Sequence, residues 1–444
     1  MHVGTFARRF AGAVMSLLAL GLFAGGARAL EPDEVRAIVR NPATAEDYPS
    51  APGVWLALDR RVEITGTGRI HGFDHVIARV FDPAWGREQF SPYVRTYFNE
   101  YQSVTIFRAR IWRSPDKYED LPAEAVSHRP SAIAEGVPAY HKLVDVVVDF
   151  PELEPGTTIE ILIEFTEITR PGEMNIRSFE FVYGAEEPVI EHGLHLALPS
   201  AANPAVETMG TVYSQPKRMG AHRYFDWLTG NLSPLSHPLE NGLVSHSPSP
   251  GSALPDTTRA TVFGWVVWDY LSRYYGRSWQ ASIGEGDPEI TIGIGAIVEG
   301  ATNTEERIDR VERWVQQEVR TLPLSHQLLG FTPIPPGEIY RSRAGSPCDK
   351  AALLVTMLAA VGVRGEPVLV RTRTGPWRRD VAAPEQLDRW MLRVRRADGS
   401  ERWCDPLESE SALPASEGLY IIIEDESIYG LVPFPGREAQ APEN

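Results

Sequence analysis

The stretch Arg343-Ala344-Gly345-Ser346-Pro347-Cys348-Asp349-Lys350-Ala351-Ala352-Leu353-Leu354 decides how the second half of this chain folds. Ser346 suits an N-cap, Pro347 the first helical position and Asp349 the third, which together make a self-consistent helix start. Leu353, Leu354, Met357, Leu358 and Val361 then set an apolar face, and Gly362 stands where a left-handed C-terminal residue is wanted. The pattern predicts a helix from Pro347 to about Val361, buried on a broad face.

Outward from that helix the texture stays mixed. After it, 368–372, 390–394 and 402–405 read as strands, with an Asp398-Gly399 hairpin signal between the last two. Before it, Thr302 or Asn303 followed by Glu305 or Glu306 gives a capping-box start, with Ile308, Val311, Val315 and Val319 at roughly helical spacing. Two helices and three strands imply an α+β domain over 283–415 whose sheet packs on the second helix. Residues 416–444 are expected to be a C-terminal strand and a disordered tail.

The N-terminal half reads differently. From about 54 to 168 short β-rich runs alternate with turn signals. Ile159, Ile161, Ile163 and Phe165 alternate with Glu160, Glu164 and Thr166, which predicts a strand with one buried and one wet face. Several such strands without helical periods imply an antiparallel β-sandwich over 30–185. The stretch 186–282 keeps strand signals but is loaded with Pro, Ser and Gly, and reads as a second β-rich region with long loops. Within it His192 and His195 lie three apart. Two possible ligands without a third nearby are weak evidence for a metal, and the pair reads as packed or surface histidines.

Residues 1–29 carry Arg8 and Arg9, an apolar run over 10–23 and the small-x-small pattern Ala27-Arg28-Ala29, the features of a secretory signal peptide. Export to the periplasm or beyond is the expectation. No later segment is apolar for the ~20 residues a membrane span needs. A formal charge of -16, with no basic stripe interleaved with aromatics, argues against nucleic-acid binding. Only two cysteines, Cys348 and Cys404, occur in 444 residues, so stability is expected from apolar cores. A bridge between the two is left open, because sequence does not supply the required geometry.

The segment 338–354 resembles the nucleophile segment of bacterial transglutaminase-like proteins of papain type, whose N-terminal partner is a β-sandwich domain of unknown function. Trp403-Cys404-Asp405-Pro406 is similar to the family's Trp-x-Asp-Pro strand. The resemblance implies a thiol at the helix start as nucleophile, a histidine on the following strands as base, and an aspartate, here Asp405, orienting that base. This chain departs from the pattern at two of those positions. Laid without a gap from Arg343, the family's Arg-x-Gly-Asp-Cys-Lys-Asp-Lys-Ala puts Pro347 on the nucleophile position. Cys348 then sits one residue late, about 100° further round the helix. The last histidine is His326, before the helix, and the family's histidine position falls on Arg389, which stays protonated. Arg389 beside Asp405 reads as a salt bridge filling a site that has lost its chemistry.

Two functions from different classes follow. One is a catalytically degenerate exported protein that binds a peptide, a protein or an envelope polymer. The other is an acyltransferase or peptidase acting through Cys348, with His326 or a histidine of the sandwich as base. A purely structural assembly role is a third. Cys404 is expected in the core, on the face opposite Asp405. No cluster has metal-ligand spacing and no glycine-rich phosphate loop follows a strand, so no cofactor is implied.

Overall fold

The computed structural model describes residues 29–407 apart from 171–178, 235–258, 264–266, 372–381 and a few shorter gaps, together with 417–420 and 431–433. The expected leader over 1–29, but for Ala29, and the chain after Pro433 lie outside the described residues.

Among the described residues nine strands form one sheet. Its spatial order runs Val212–Tyr213, His222–Leu232, Val189–Pro199, Gly53–Ile64, Ile70–Val80, Thr158–Glu167, Gln102–Ser114 and Lys117–Asp120, with Lys217–Met219 also on His222–Leu232. A smaller sheet of Tyr93–Phe98, Leu143–Val148 and Val126–Pro130 forms a second layer. Between the two, Ile159, Ile161 and Ile163 from one sheet meet Val146, Val148 and Tyr93 from the other, with Trp55, Trp85 and Phe90 filling the end. Fully burying a side chain of this size is worth about 1.5–3 kcal/mol, so this layer contact is the main source of cohesion.

Two expectations about this region are corrected. The sandwich is not purely antiparallel: Gly53–Ile64 runs parallel to Val189–Pro199, with Val62 opposite Leu196. Nor is 186–232 a separate region, because Val189–Pro199 and His222–Leu232 pair with each other and extend the first sheet. The alternation Leu194, Leu196, Leu198 packs with Val62, Ile64 and Trp227, and that cross-strand apolar match is what joins them. Among the described strands of this stretch, Ala205–Met209 and Arg259–Phe263 stand apart, in a three-stranded sheet with Phe179–Val182.

A third correction concerns the wet face expected of Thr158–Glu167. Glu160 is fully buried. The helix Pro32–Val39 lays Val35, Ile38 and Val39 over Leu56, Ala57, Ile77 and Trp112, so this face of the sheet is covered at one end. Glu160 accepts from Arg108 Nη1 at 2.7 Å and from Trp112 Nε1 at 2.9 Å, and lies 2.9 Å from His75 Nε2.

Further along the same face His195 is held between two carboxylates, with Nδ1 2.7 Å from Asp226 Oδ1 and Nε2 3.1 Å from Asp59 Oδ2. Burial works against its charge. The Asp59 carboxylate and the bond to Asp226 outweigh burial and raise the imidazole to about 9. Because the folded value lies above the unfolded one of about 6.5, this stabilisation is complete below pH ~6.5 and lost as pH rises through the folded value. The wild-type protein is therefore expected to lose on the order of 3 kcal/mol between those limits, in chemical denaturation, that a His195→Gln variant does not lose. Asp59, held well below the usual carboxylate range against burial by Arg61 and His195, is the same interaction seen from the other side and is counted once. His192, three residues away along the strand, projects from the opposite face. It accepts from the Gly184 N–H at 3.3 Å, and among the described residues no group of three or more His, Cys, Asp or Glu side chains is placed to hold a metal ion.

The second half is α+β. Helices Trp268–Ile283, Pro288–Ile297, Thr304–Glu318 and Pro347–Ala360 pack with a five-stranded antiparallel sheet ordered Glu401–Cys404, Arg389–Arg395, Gly365–Arg371, Glu417–Tyr420, Leu431–Pro433. Trp268–Ile283 falls where the second β-rich region was expected. Leu271, Tyr275 and Trp279 point into the same core as Leu353, Leu354 and Leu358, an aromatic-rich helical stripe that the Pro- and Ser-rich sequence before it obscures. That core also takes in Phe98, Val137, Tyr140 and Leu143 from the β unit, so apolar packing is continuous between the two halves.

Candidate active-site region

The Pro347–Ala360 helix starts as its residues dictate. Ser346 is the N-cap with extended backbone (φ -64°, ψ 166°), and it exchanges bonds with Asp349 in a capping box. Pro347 takes the first helical position. Cys348, next along, is buried at 6% exposure, and its thiol donates to the Phe331 carbonyl with sulfur 3.5 Å from the oxygen. The same carbonyl accepts from Trp279 Nε1 at 2.8 Å, and Trp279 in turn packs on Trp390 with ring centres 4.8 Å apart.

Asp349 is the most heavily bonded carboxylate at the helix start. It accepts from the Ile334 N–H at 2.7 Å and from the hydroxyls of Ser346 and Tyr140. The Tyr140 oxygen also accepts from the Ser346 N–H at 2.7 Å. Burial pushes the Asp349 carboxyl up, and the same burial beside that carboxylate raises the Tyr140 phenol, so Tyr140 stays a donor. Lys350 is buried on the other side, donating to the Val319 carbonyl at 2.7 Å and Thr321 Oγ1 at 3.0 Å. Burial lowers its ammonium to about 8, with the charge of Asp405 acting in the opposite direction.

The strands bring Arg389 and Asp405 together. Arg389 Nη2 lies 2.5 Å from Asp405 Oδ2, with Asp405 buried and Arg389 largely so. Asp405 is further held by the Leu407 N–H on Oδ1 at 2.8 Å and by its own N–H donating to Glu312 Oε1 at 2.8 Å. Cys404 is in the core, and burial raises its thiol to about 12. Both cysteines are free thiols. The side chain of His326 lies outside the described residues, and the buried sheet histidines His75 and His195 are engaged with carboxylates of the β unit.

Sequence reasoning missed Tyr140. It comes from a 3₁₀ turn, Pro138–Tyr140, with no periodicity of its own, and its partner Asp349 is 209 positions away. The capping signal at Asp349 was visible, but nothing local could show that the carboxylate also serves a second unit.

The β sheet just described, from the turn after Gly53–Ile64 to His222–Leu232, has a known counterpart. Residues 67–235 match DUF3857, a domain family of unknown function with solved structure. The DUF3857 match runs unbroken through position 186, in keeping with the sheet pairing. No curated protein matches the chain. Among solved structures, a candidate protease from Parabacteroides distasonis aligns at a TM-score of 0.64 and 15% identity, over 80% of this chain and 67% of that one. At that identity the likeness shows a shared fold alone. An M1 zinc metallopeptidase from Deinococcus radiodurans aligns at 12% identity over 63% of this chain and 59% of that one, with a TM-score of 0.26 that carries no argument.

Proposed function

We propose that the α+β region is a transglutaminase-like, papain-type domain that has lost its nucleophile and base, and that the protein is exported and works in the cell envelope by binding. Its ligand would be a peptide, a protein or an envelope polymer. The observation that carries this is the Arg389–Asp405 ion pair. In the resembled family the aspartate of Trp-x-Asp-Pro orients a histidine. Here it is neutralised by a guanidinium that cannot accept a proton. The position of the thiol agrees: Pro347 occupies the first helical position and Cys348 lies beneath the Phe331 carbonyl. The likeness to the candidate protease supports the papain-type fold, and the signal-like residues 1–29 support export.

The fold reading is testable by reversal. A Pro347→Cys, Arg389→His double variant puts a thiol at the helix start and an imidazole beside Asp405. Its new thiol is expected to react with iodoacetamide well below the free-thiol value of about 8.5, as an imidazolium and a helix N-terminus lower it. A new thiol that titrates like a free cysteine in the folded variant would count against the transglutaminase-like geometry. Turnover by the unaltered protein that is lost on Cys348→Ser would instead favour an acyltransferase or peptidase.

A further inference from the structure

The segment 328–336 crosses the start of the Pro347–Ala360 helix and is held from both units of the protein. On the side of its own unit, the Phe331 carbonyl takes bonds from Trp279 Nε1 and the Cys348 thiol. On the side of the β unit, Arg170 donates to the carbonyls of Leu328 and Leu329 while its guanidinium lies over Phe98 and Tyr101, 4.5 and 5.1 Å from the ring centres. The far end is pinned through the Ile334 N–H on Asp349 Oδ1, and the other oxygen of that carboxylate is bonded by Tyr140. Gly330 has a left-handed backbone, φ 79°, and Pro333, Pro335 and Pro336 stiffen the stretch beyond it. This is the composition of a stiff flap on a pliable joint.

We propose that this flap is an access cover for Cys348, bolted shut by the β unit through Tyr140 and Arg170, so that parting of the two units uncovers the thiol. The inference goes beyond the binding role proposed above and does not depend on it. Cys348 is covered because Phe331 is held down. Within its own unit Phe331 is held by Trp279 and Tyr275; its segment is tied to the β unit directly on one flank, through Arg170, and on the other through Asp349, whose second oxygen Tyr140 bonds. Removing either tie while keeping the ring at position 140 and the side-chain length at position 170 is expected to raise the population of the open flap. Lost bonds to a charged or carbonyl acceptor translate into roughly tenfold or greater opening.

The test is the rate of iodoacetamide labelling of each cysteine, followed by mass spectrometry, in the full exported chain and in two variants. Tyr140→Phe removes one oxygen atom, and Arg170→Met keeps the length and the contact with the aromatic rings. Cys404, fully buried in the sheet, is the internal reference for global opening. Labelling of Cys348 is expected to rise roughly tenfold or more in both variants with Cys404 unchanged. Unchanged labelling of Cys348 in both would overturn the proposal. So would a parallel rise at both cysteines, since the ties would then only hold the fold together. The pH dependence separates this from the functional reading. Faster labelling that still follows an ordinary thiol near pH ~8.5 leaves the non-catalytic reading standing, whereas fast labelling well below it would sink that reading and keep the cover.

Discussion

Replacing Asp349 with alanine is expected to destabilise the folded protein by about 3 kcal/mol or more, since each buried donor left without its acceptor costs about 1–3 kcal/mol. The size follows from what is left behind. Asp349 is buried, and its oxygens accept from the Ile334 and Ser346 N–H groups and from the Ser346 and Tyr140 hydroxyls. Alanine strands those donors where water does not reach and removes half of the capping box as well, itself worth about 1 kcal/mol. Asp349→Asn keeps the shape and one acceptor but turns an NH₂ toward donors, so it should recover only part of the loss. Denaturant titration of the three proteins measures this, read as a shift in midpoint at constant slope. A cost under about 1 kcal/mol for the alanine variant would mean that these donors find other partners.

The second large effect is expected at Glu160. Its carboxylate lies under the Pro32–Val39 helix between strands, bonded to Arg108 and the Trp112 indole and facing His75. Burial alone would raise it, but the bonds and charges of His75 and Arg108 prevail and hold it at about 2. Glu160→Ala should cost about 3–5 kcal/mol near neutral pH, because it leaves a cation and an indole N–H without their acceptor. Acid should expose the same interaction in the unaltered protein. A folded value below the unfolded one of about 4.3 means the stabilisation is complete above that pH and is lost as pH falls through the folded value. The alanine variant, which has no such carboxylate, should show a shallower acid dependence over that window.

How much of this was legible beforehand depended on whether the signal was local. The start of the Pro347–Ala360 helix could be read residue by residue, since Ser346, Pro347 and Asp349 each have a strong positional preference. So could the hairpin at Asp398-Gly399, where Gly399 adopts φ 83°. The Arg389–Asp405 contact was expected from the resemblance and the strand order, and the two side chains meet in the structure. What escaped was non-local. Glu160 looked like a wet residue because alternation reports which face a side chain is on, not whether a helix far back in the chain, Pro32–Val39, covers that face. Val189–Pro199 looked separate because its parallel partner, Gly53–Ile64, lies far back in the chain. Trp268–Ile283 was hidden by a Pro- and Ser-rich preamble that lowered the helical reading of its neighbours. Tyr140 carried no pattern at all, and its importance exists only once the two units meet.

The central claim, that the thiol at the start of this helix is not an activated nucleophile, is most directly tested by the pH dependence of Cys348 alkylation. The folded protein would be treated with iodoacetamide across the range from mildly acidic to alkaline and compared with an unfolded control by mass spectrometry. Labelling slower than the control at every pH, with no rise below the free-thiol value of about 8.5, is the expected result for a cysteine lying beneath the Phe331 carbonyl. Preferential labelling of Cys348 well below that value would contradict it, and would make the protein a cysteine-dependent enzyme in search of its substrate.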